Sequence, residues 1–231
     1  MKCAIMQPTY LPWAGYFNLI ASVDTFVFLD DVQFDRRSWQ SRNRIFDGGH
    51  VAWLTCPVKK TKRETLIHNL EVAEDANWQH IHAKKVQLNY ANAPFFNDIM
   101  PILDALLEIG STKLSCVNKT LILTICQMLG INTAFVNASD LNLTGARSEH
   151  LLNICRELDC DQYLSPQGSK DYLSKDGAFT NSAVELTFQE YSPTAYLQKQ
   201  SNEFVSHMSI IDVIANIGVS AGKPYILGRS T

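Results

Sequence analysis

The opening of the chain confines it to few architectures. Residues 2–6 form a short apolar run ended by a turn at Gln7 and Pro8, which reads as a buried strand. Apolar residues then fall at 13, 16, 17, 19, 20 and 23, close to the helical period, with Pro12 acceptable just before the first turn. Residues 25–29, TFVFL, are rich in β-branched and aromatic side chains and stop at Asp30 and Asp31. That is a second buried strand. Strand, turn, helix and strand within about 30 residues make a βαβ unit, whose crossover is right-handed.

The rest of the chain continues the alternation. A turn at Asp47, Gly48 and Gly49 separates 42–46 from 51–57, the pattern of a hairpin or a loop feeding a strand. Residues 66–72 read as an edge strand. Helical patterns cover 77–89 and 95–107, divided by Pro94, and 114–129, closed by Gly130. A strand at 131–136, a helix at 147–158, a short strand at 162–164, a loop at 165–169 and a strand at 183–188 follow. Ser209 and Asp212 supply an N-cap and an N3 acid for a helix at 210–217, ended by Gly218. Alternating strands and helices predict an α/β, Rossmann-like fold with a mainly parallel sheet covered on both faces. It is read as one domain over 1–231, with 77–130 a helical insert and 184–231 a C-terminal strand and helix appendage. Ligands in such folds sit beyond the carboxyl ends of the strands, at the switch point, where the turns at 7–13, 30–33 and 165–169 would converge.

With 231 residues, 46% of them hydrophobic and 19% charged, the chain can bury about 70–75% of its unfolded surface without staples. Disordered and collagenous classes are excluded. So is a membrane span, because the most apolar stretch, 121–136, is broken by Thr124, Gln127, Gly130, Asn132 and Thr133, and about 20 nearly uninterrupted apolar residues are required. The start, MKCAIMQPTY, lacks the apolar run of a signal peptide. The six cysteines contain no C-x-x-C pair, the usage of reduced, packed thiols, so a cytoplasmic location is expected. His80 and His82 are too closely spaced to point the same way on a helix, which argues against a zinc site.

Charge is concentrated in one place. Between residues 36 and 63, eight basic residues (Arg36, Arg37, Arg42, Arg44, Lys59, Lys60, Lys62 and Arg63) face the single acid Asp47, a net +7 in a chain of net charge −3. Such a field attracts anions, and arginine forks suit phosphate and carboxylate. A solvated hairpin with incidental charge is the plain alternative. Interleaved Trp39, Gln40 and Asn43 favour recognition. The whole chain is acidic, with a pI of about 6.1, so a small phosphorylated ligand fits better than nucleic acid.

The turn QPTYLPWAGYF brings prolines, a glycine and aromatic residues to a helix start, where backbone N–H groups can bind phosphate and Tyr10, Trp13 or Tyr16 can stack on a ring. Trp13, Tyr16 and Phe17 could instead be simply the core face of the helix. Neither G-x-G-x-x-G nor a Walker A loop is present. Asp30 and Asp31 at a strand end can hold Mg²⁺, orient a ribose or act as a general base, or simply pair with Arg36 or Arg37. Ser165 and Gly168 lie in a loop offering donors to an oxyanion, or in an ordinary turn. Cys56 beside the cationic segment is a candidate low-pKa thiol, or one more packed cysteine.

The stretch QPTYLPWAGYFNLIASVDTFVFLDDVQFDRRSWQSRNRI resembles the signature of the WbqC-like protein family of bacteria, as do LNICRELDCDQYLSPQGSKDYL and MSIIDVIANIG. The resemblance implies a place in surface-polysaccharide (O-antigen) biosynthesis and a transferase-like role, attaching an acyl or aminoacyl group to an amino sugar. It singles out Gln7, Pro8, Tyr10, Pro12, Gly15, Tyr16, Asp30, Asp31, Gln33, Arg36, Trp39, Arg42, Asn43 and Arg44, joined by Lys59, Lys60, Ser165 and Gly168. A second likeness, to nucleotidyltransferases of the H-x-G-H type, covers only the first turn, where both histidines are missing. The expected donor is a nucleotide or nucleotide-sugar. Its phosphates would be clamped by Arg36, Arg42, Arg44, Lys59 and Lys60, with Asp30, Asp31 and Gln33 as catalytic candidates. The alternative is a non-catalytic phosphate-ligand-binding or scaffold protein of such a pathway.

Overall fold

A computed structural model describes residues 1–74 and 77–228. Its strands β1 (Lys2–Met6), β2 (Thr25–Phe28), β5 (Ala134–Asn137), β6 (Gln162–Ser165) and β7 (Glu185–Phe188) form one sheet in the order β5-β2-β1-β6-β7. Every pairing is parallel. The first strand is central. The chain steps outward to β2 and β5, then returns across β1 to build β6 and β7 on the other side. This order is Rossmann-like, and its direction reverses between β1 and β6, which opens a crevice at the carboxyl ends there.

Alternation along the central strands supplies two cores. On one face Ala4, Phe26 and Phe28 pack with Tyr16, Phe17 and Ile20 of helix α1 (Ala14–Ala21). Helices α3 (Met100–Glu108) and α4 (Leu114–Met128) join the same core. On the opposite face Cys3, Ile5 and Val27 meet Leu151, Ile154 and Cys155 of helix α6 (Arg147–Glu157). Each fully buried aliphatic or phenyl side chain contributes about 1.5–3 kcal/mol, so the two-faced pattern fixes the register of the sheet. A slip of one residue would exchange the two sets.

Between β2 and β5 the chain inserts an antiparallel hairpin, β3 (Arg42–Asp47) and β4 (His50–Thr55). Helix α2 (Trp78–Tyr90) and then α3 and α4 follow it. The segment 66–72 is not an edge strand. It contains a 3-10 turn, Ile67–Asn69, and its backbone serves several neighbours in succession. Ile67 N–H donates to the Val32 carbonyl, His68 N–H to Asp30 and Val72 N–H to Thr112, a strap with no single partner along which a ladder could grow.

Beyond β5 lie the short α5 (Ala138–Leu141), then α6, β6, a 3-10 turn Gln167–Ser169, α7 (Lys170–Asp176) and β7. The final helix α8 (Ile210–Ile226) begins as expected, with the Ser209 hydroxyl accepting from Ile211 N–H. Gly218 ends the first helical stretch, residues 210–217, as expected, and a second stretch follows across a kink. The Gly218 φ of 79° and ψ of 168° are non-helical, and a Cβ there would stand 2.7 Å from the Phe95 ring. The Asp98 carboxylate accepts from Val219 N–H at 2.9 Å and restarts the helix. Among the described residues no helix is long and apolar enough to cross a membrane.

Candidate functional site

At the carboxyl ends of β1 and β2 a crevice of about 550 Å³ is lined by Gln7, Asp31, Arg147, His150 and Tyr172. Asp31 follows β2 directly. His150 lies in the first turns of α6, whose N-terminus points to this edge because the helix runs antiparallel to the strands. The Asp31 carboxylate and His150 Nε2 are 2.9 Å apart, with side-chain exposures of 16% and 8%. Hydrogen bonding to Asp31 raises the His150 pKa above the ordinary imidazole value, against an opposing effect of burial. The Thr144 carbonyl adds to the rise without meeting hydrogen-bond geometry at Nδ1. His150 Nδ1 and Asp31 Oδ1 are both buried without a partner. No side chain caps α6, so its free N–H groups and dipole favour negative charge at the mouth of the crevice, beside Arg147.

Asp30 points elsewhere. Its carboxylate accepts from Lys119 Nζ at 2.6 Å, Ser139 N–H at 3.0 Å and Ser139 Oγ–H at 3.1 Å, and the side chain is 2% exposed. This network ties the end of β2 to α4 and α5. Neither aspartate pairs with Arg36 or Arg37. A metal shared by the two aspartates does not fit, because both Asp30 oxygens are engaged and a cation would have to displace Lys119. Among the described residues no group of three His, Cys, Asp or Glu side chains is placed to hold a metal.

The basic segment does converge. Arg36, Arg37, Arg42, Lys59 and Lys60 line one groove of about 360 Å³, and Arg36 continues into a hollow with Gln33, Lys62 and Arg63. Seven of the eight basic residues therefore border two adjoining depressions. Arg42 lies over the Trp53 ring at 4.1 Å, which orients its guanidinium. The Arg36 guanidinium donates to the Thr61 carbonyl. Lys59 is partly neutralised by Glu71 and Glu74, at 2.9 and 2.7 Å. Arg44 is the exception: it donates to the carbonyls of Ser206 and His207 at 2.9 and 2.8 Å, and burial lowers its pKa. It anchors the C-terminal loop to the hairpin.

A third pocket, of about 270 Å³, sits on the other side of Gln7, with Trp13, Tyr16, Trp39 and Asn43 in its walls. The Trp13 ring lies across Gly15, where a Cβ would be 2.2 Å from it, so only glycine permits this placement. Tyr16 O–H donates to the Gln7 carbonyl at 3.0 Å, and Gln40 Nε2–H donates to Gln7 Oε1 at 3.0 Å. Asn43 is buried, donating to the Tyr10 carbonyl and accepting from Arg44 N–H, so it positions the hairpin. Gln7 is the shared wall of crevice and pocket, and segment 31–42 borders every hollow described so far.

Several expected site residues are structural. Tyr10 is wholly buried, its hydroxyl 2.8 Å from His82 Nδ1; burial lowers the His82 pKa to about 4. Ser165 Oγ is spent on Ser169 and Tyr163, at 2.6 and 3.2 Å, and Gly168 is exposed on that turn. Cys56 is a packed thiol whose pKa burial pushes up, the reverse of an activated nucleophile. His150 escaped the sequence reading altogether. Its signal is its place in the first turns of a crossover helix, the end that must meet the carboxyl edge of a parallel sheet.

Fold and site together define a Rossmann-like α/β protein with a cationic groove beside an Asp–His crevice. The chain belongs to the WbqC-like protein family, which it matches over residues 7–223. It is 33% identical over 227 residues, 95% of each chain, to the uncharacterized protein Rv1507c of Mycobacterium tuberculosis. No solved structure matches it.

Proposed function

We propose that this chain is a group transferase of bacterial surface-polysaccharide (O-antigen) biosynthesis that acts on a phosphorylated donor, a nucleotide or nucleotide-sugar in the cytoplasm. The observation that carries the reading is the adjacency, through segment 31–42, of the cationic groove, with its five basic residues, and the Asp31–His150 pair. In this mechanism Arg36, Arg42 and Lys60 hold the phosphates. The acceptor's amine or hydroxyl attacks the activated carbon of the donor. Its proton passes to the Asp31–His150 pair, and the phosphate leaves with the bond electrons into the groove. The acyl or aminoacyl acceptor chemistry comes from the family resemblance alone, and the amino sugar is its proposed acceptor. Asp30 takes no part in the chemistry.

Calorimetry with nucleotides and nucleotide-sugars on wild type and Arg42→Ala tests the donor site. Losing a bidentate arginine should cost on the order of 2–5 kcal/mol of binding; equal binding by the two proteins, or none by either, refutes the groove. A non-catalytic binding protein would keep the arginines and need no base. If Asp31→Asn leaves both donor affinity and polysaccharide production unchanged, that alternative replaces the transferase.

A further inference from the structure

The pocket between α1 and the hairpin contains a polar group that the protein does not use. Thr9 is 6% exposed and lines the pocket, and its buried Oγ1 has no hydrogen-bond partner. A buried hydroxyl without a partner costs about 1–3 kcal/mol, a cost that a bound ligand would remove. Nearby, Gln7 Oε1 is already occupied by Gln40, which leaves the Gln7 amide N–H₂ as a second donor. His207, held in a left-handed conformation with φ of 58°, lies 4.4 Å from the Trp13 ring. Burial, and then Arg44, lower its pKa, which favours the neutral imidazole.

These features select a ligand class. No carboxylate, ammonium or guanidinium group lines the pocket, so it suits an uncharged group. At about 270 Å³ it lies just below the roughly 300–1,000 Å³ of sites that enclose drug-sized molecules, which is room for one ring system and not for a whole nucleotide-sugar. Its walls include the aromatic side chains of Trp13, Tyr16 and Trp39. A pyranose carries hydroxyls around its whole rim, and each left unpaired against such walls would be penalised. A nucleobase presents flat faces for stacking and gathers its polar atoms along an edge, matching the few polar groups at Thr9 and Gln7.

We infer that this pocket, built by Thr9, Gln7, Trp13, Trp39 and His207, binds the nucleobase of the donor. The inference rests on the donor reading for the identity of the ring, but the pocket can be tested without phosphate. Protein labelled with ¹⁵N in its four tryptophans is titrated to millimolar concentration with adenosine, guanosine, cytidine and uridine, and separately with methyl pyranosides. At least one nucleoside should shift the indole N–H signals of Trp13 and Trp39 while the buried Trp78 stays in place. Thr9→Val should weaken that nucleoside about tenfold, equivalent to about 1.4 kcal/mol. It should also raise the melting temperature of the free protein, whereas a hydroxyl with a structural role would lower it on removal. Trp39→Ala, at a residue 44% exposed, provides a second variant that keeps the core intact and should also weaken binding. Pyranosides shifting both signals in place of nucleosides, no ligand shifting either, or unchanged affinity in Thr9→Val would each overturn the assignment. Because nucleosides carry no phosphate, their failure leaves the cationic groove standing, and a failed Arg42→Ala test leaves this pocket standing.

Discussion

Replacing Asp31 by asparagine keeps the side-chain shape and removes its charge. The Asp31–His150 contact is 2.9 Å between side chains 16% and 8% exposed, so little solvent screens it. A hydrogen bond to an ionised group contributes about 1.5–3 kcal/mol. At about 2–4 °C per kcal/mol for a chain of this size, Asp31→Asn should melt about 3–12 °C lower at pH 6. The pH dependence has a definite sign. His150 has its pKa raised in the folded state, with Asp31 as the main cause. The pH-dependent stabilisation is therefore complete below the unfolded imidazole value of about 6.5 and is lost as pH rises through the folded value. Urea unfolding of both proteins between pH 5.5 and 9 measures the gap. NMR titration of the His150 ring, assigned with His150→Gln, measures its cause. If His150 titrates at the same pH in Asp31→Asn as in wild type, or the gap is constant across the series, the pairing is not what shifts the histidine.

Other expectations follow from the same geometry. Asp30→Asn should cost about 3–5 kcal/mol in urea unfolding, because it leaves the largely buried Lys119 unpaired; a loss below 1 kcal/mol accompanied by abolished activity would return Asp30 to the chemistry. Gly15→Ala should destabilise by about 1–3 kcal/mol and perturb the Trp13 indole signal, since the new methyl collides with that ring; an unmoved indole would contradict the packing. A thiol reagent should modify one cysteine of the native protein, Cys116, which is the single exposed thiol of six, and all six after unfolding. Rapid native reaction at Cys56 would mean that its strand is not closed.

The sheet was legible because its strands are short, apolar and separated by turns, and because 13–23 carries a clear helical period. What the sequence hides is which polar group serves the interior. Asp30 and Asp31 are adjacent and chemically identical, yet one is committed to Lys119 and Ser139 and the other to His150, partners 89 and 119 residues away. Pattern reading has no access to contacts at that range. The arginines divide likewise: Arg42 and Arg44 share a strand face, but only Arg44 meets the carbonyls of the distant C-terminal loop. The strap at 66–72 resembles a strand in composition, and its failure to pair in one register follows from tertiary partners that no local signal announces. Gly218 was correctly marked as a break, but the Asp98 carboxylate that restarts the helix lies on another element.

The measurement closest to the main claim is a crystal structure of the protein grown with a nucleoside diphosphate. Density for the two phosphates on Arg36, Arg42 and Lys60, with the crevice of Asp31 and His150 open to an acceptor beside them, is the expected result. Phosphates bound on a face remote from that groove, or a groove left empty while the nucleotide sits elsewhere, would contradict it.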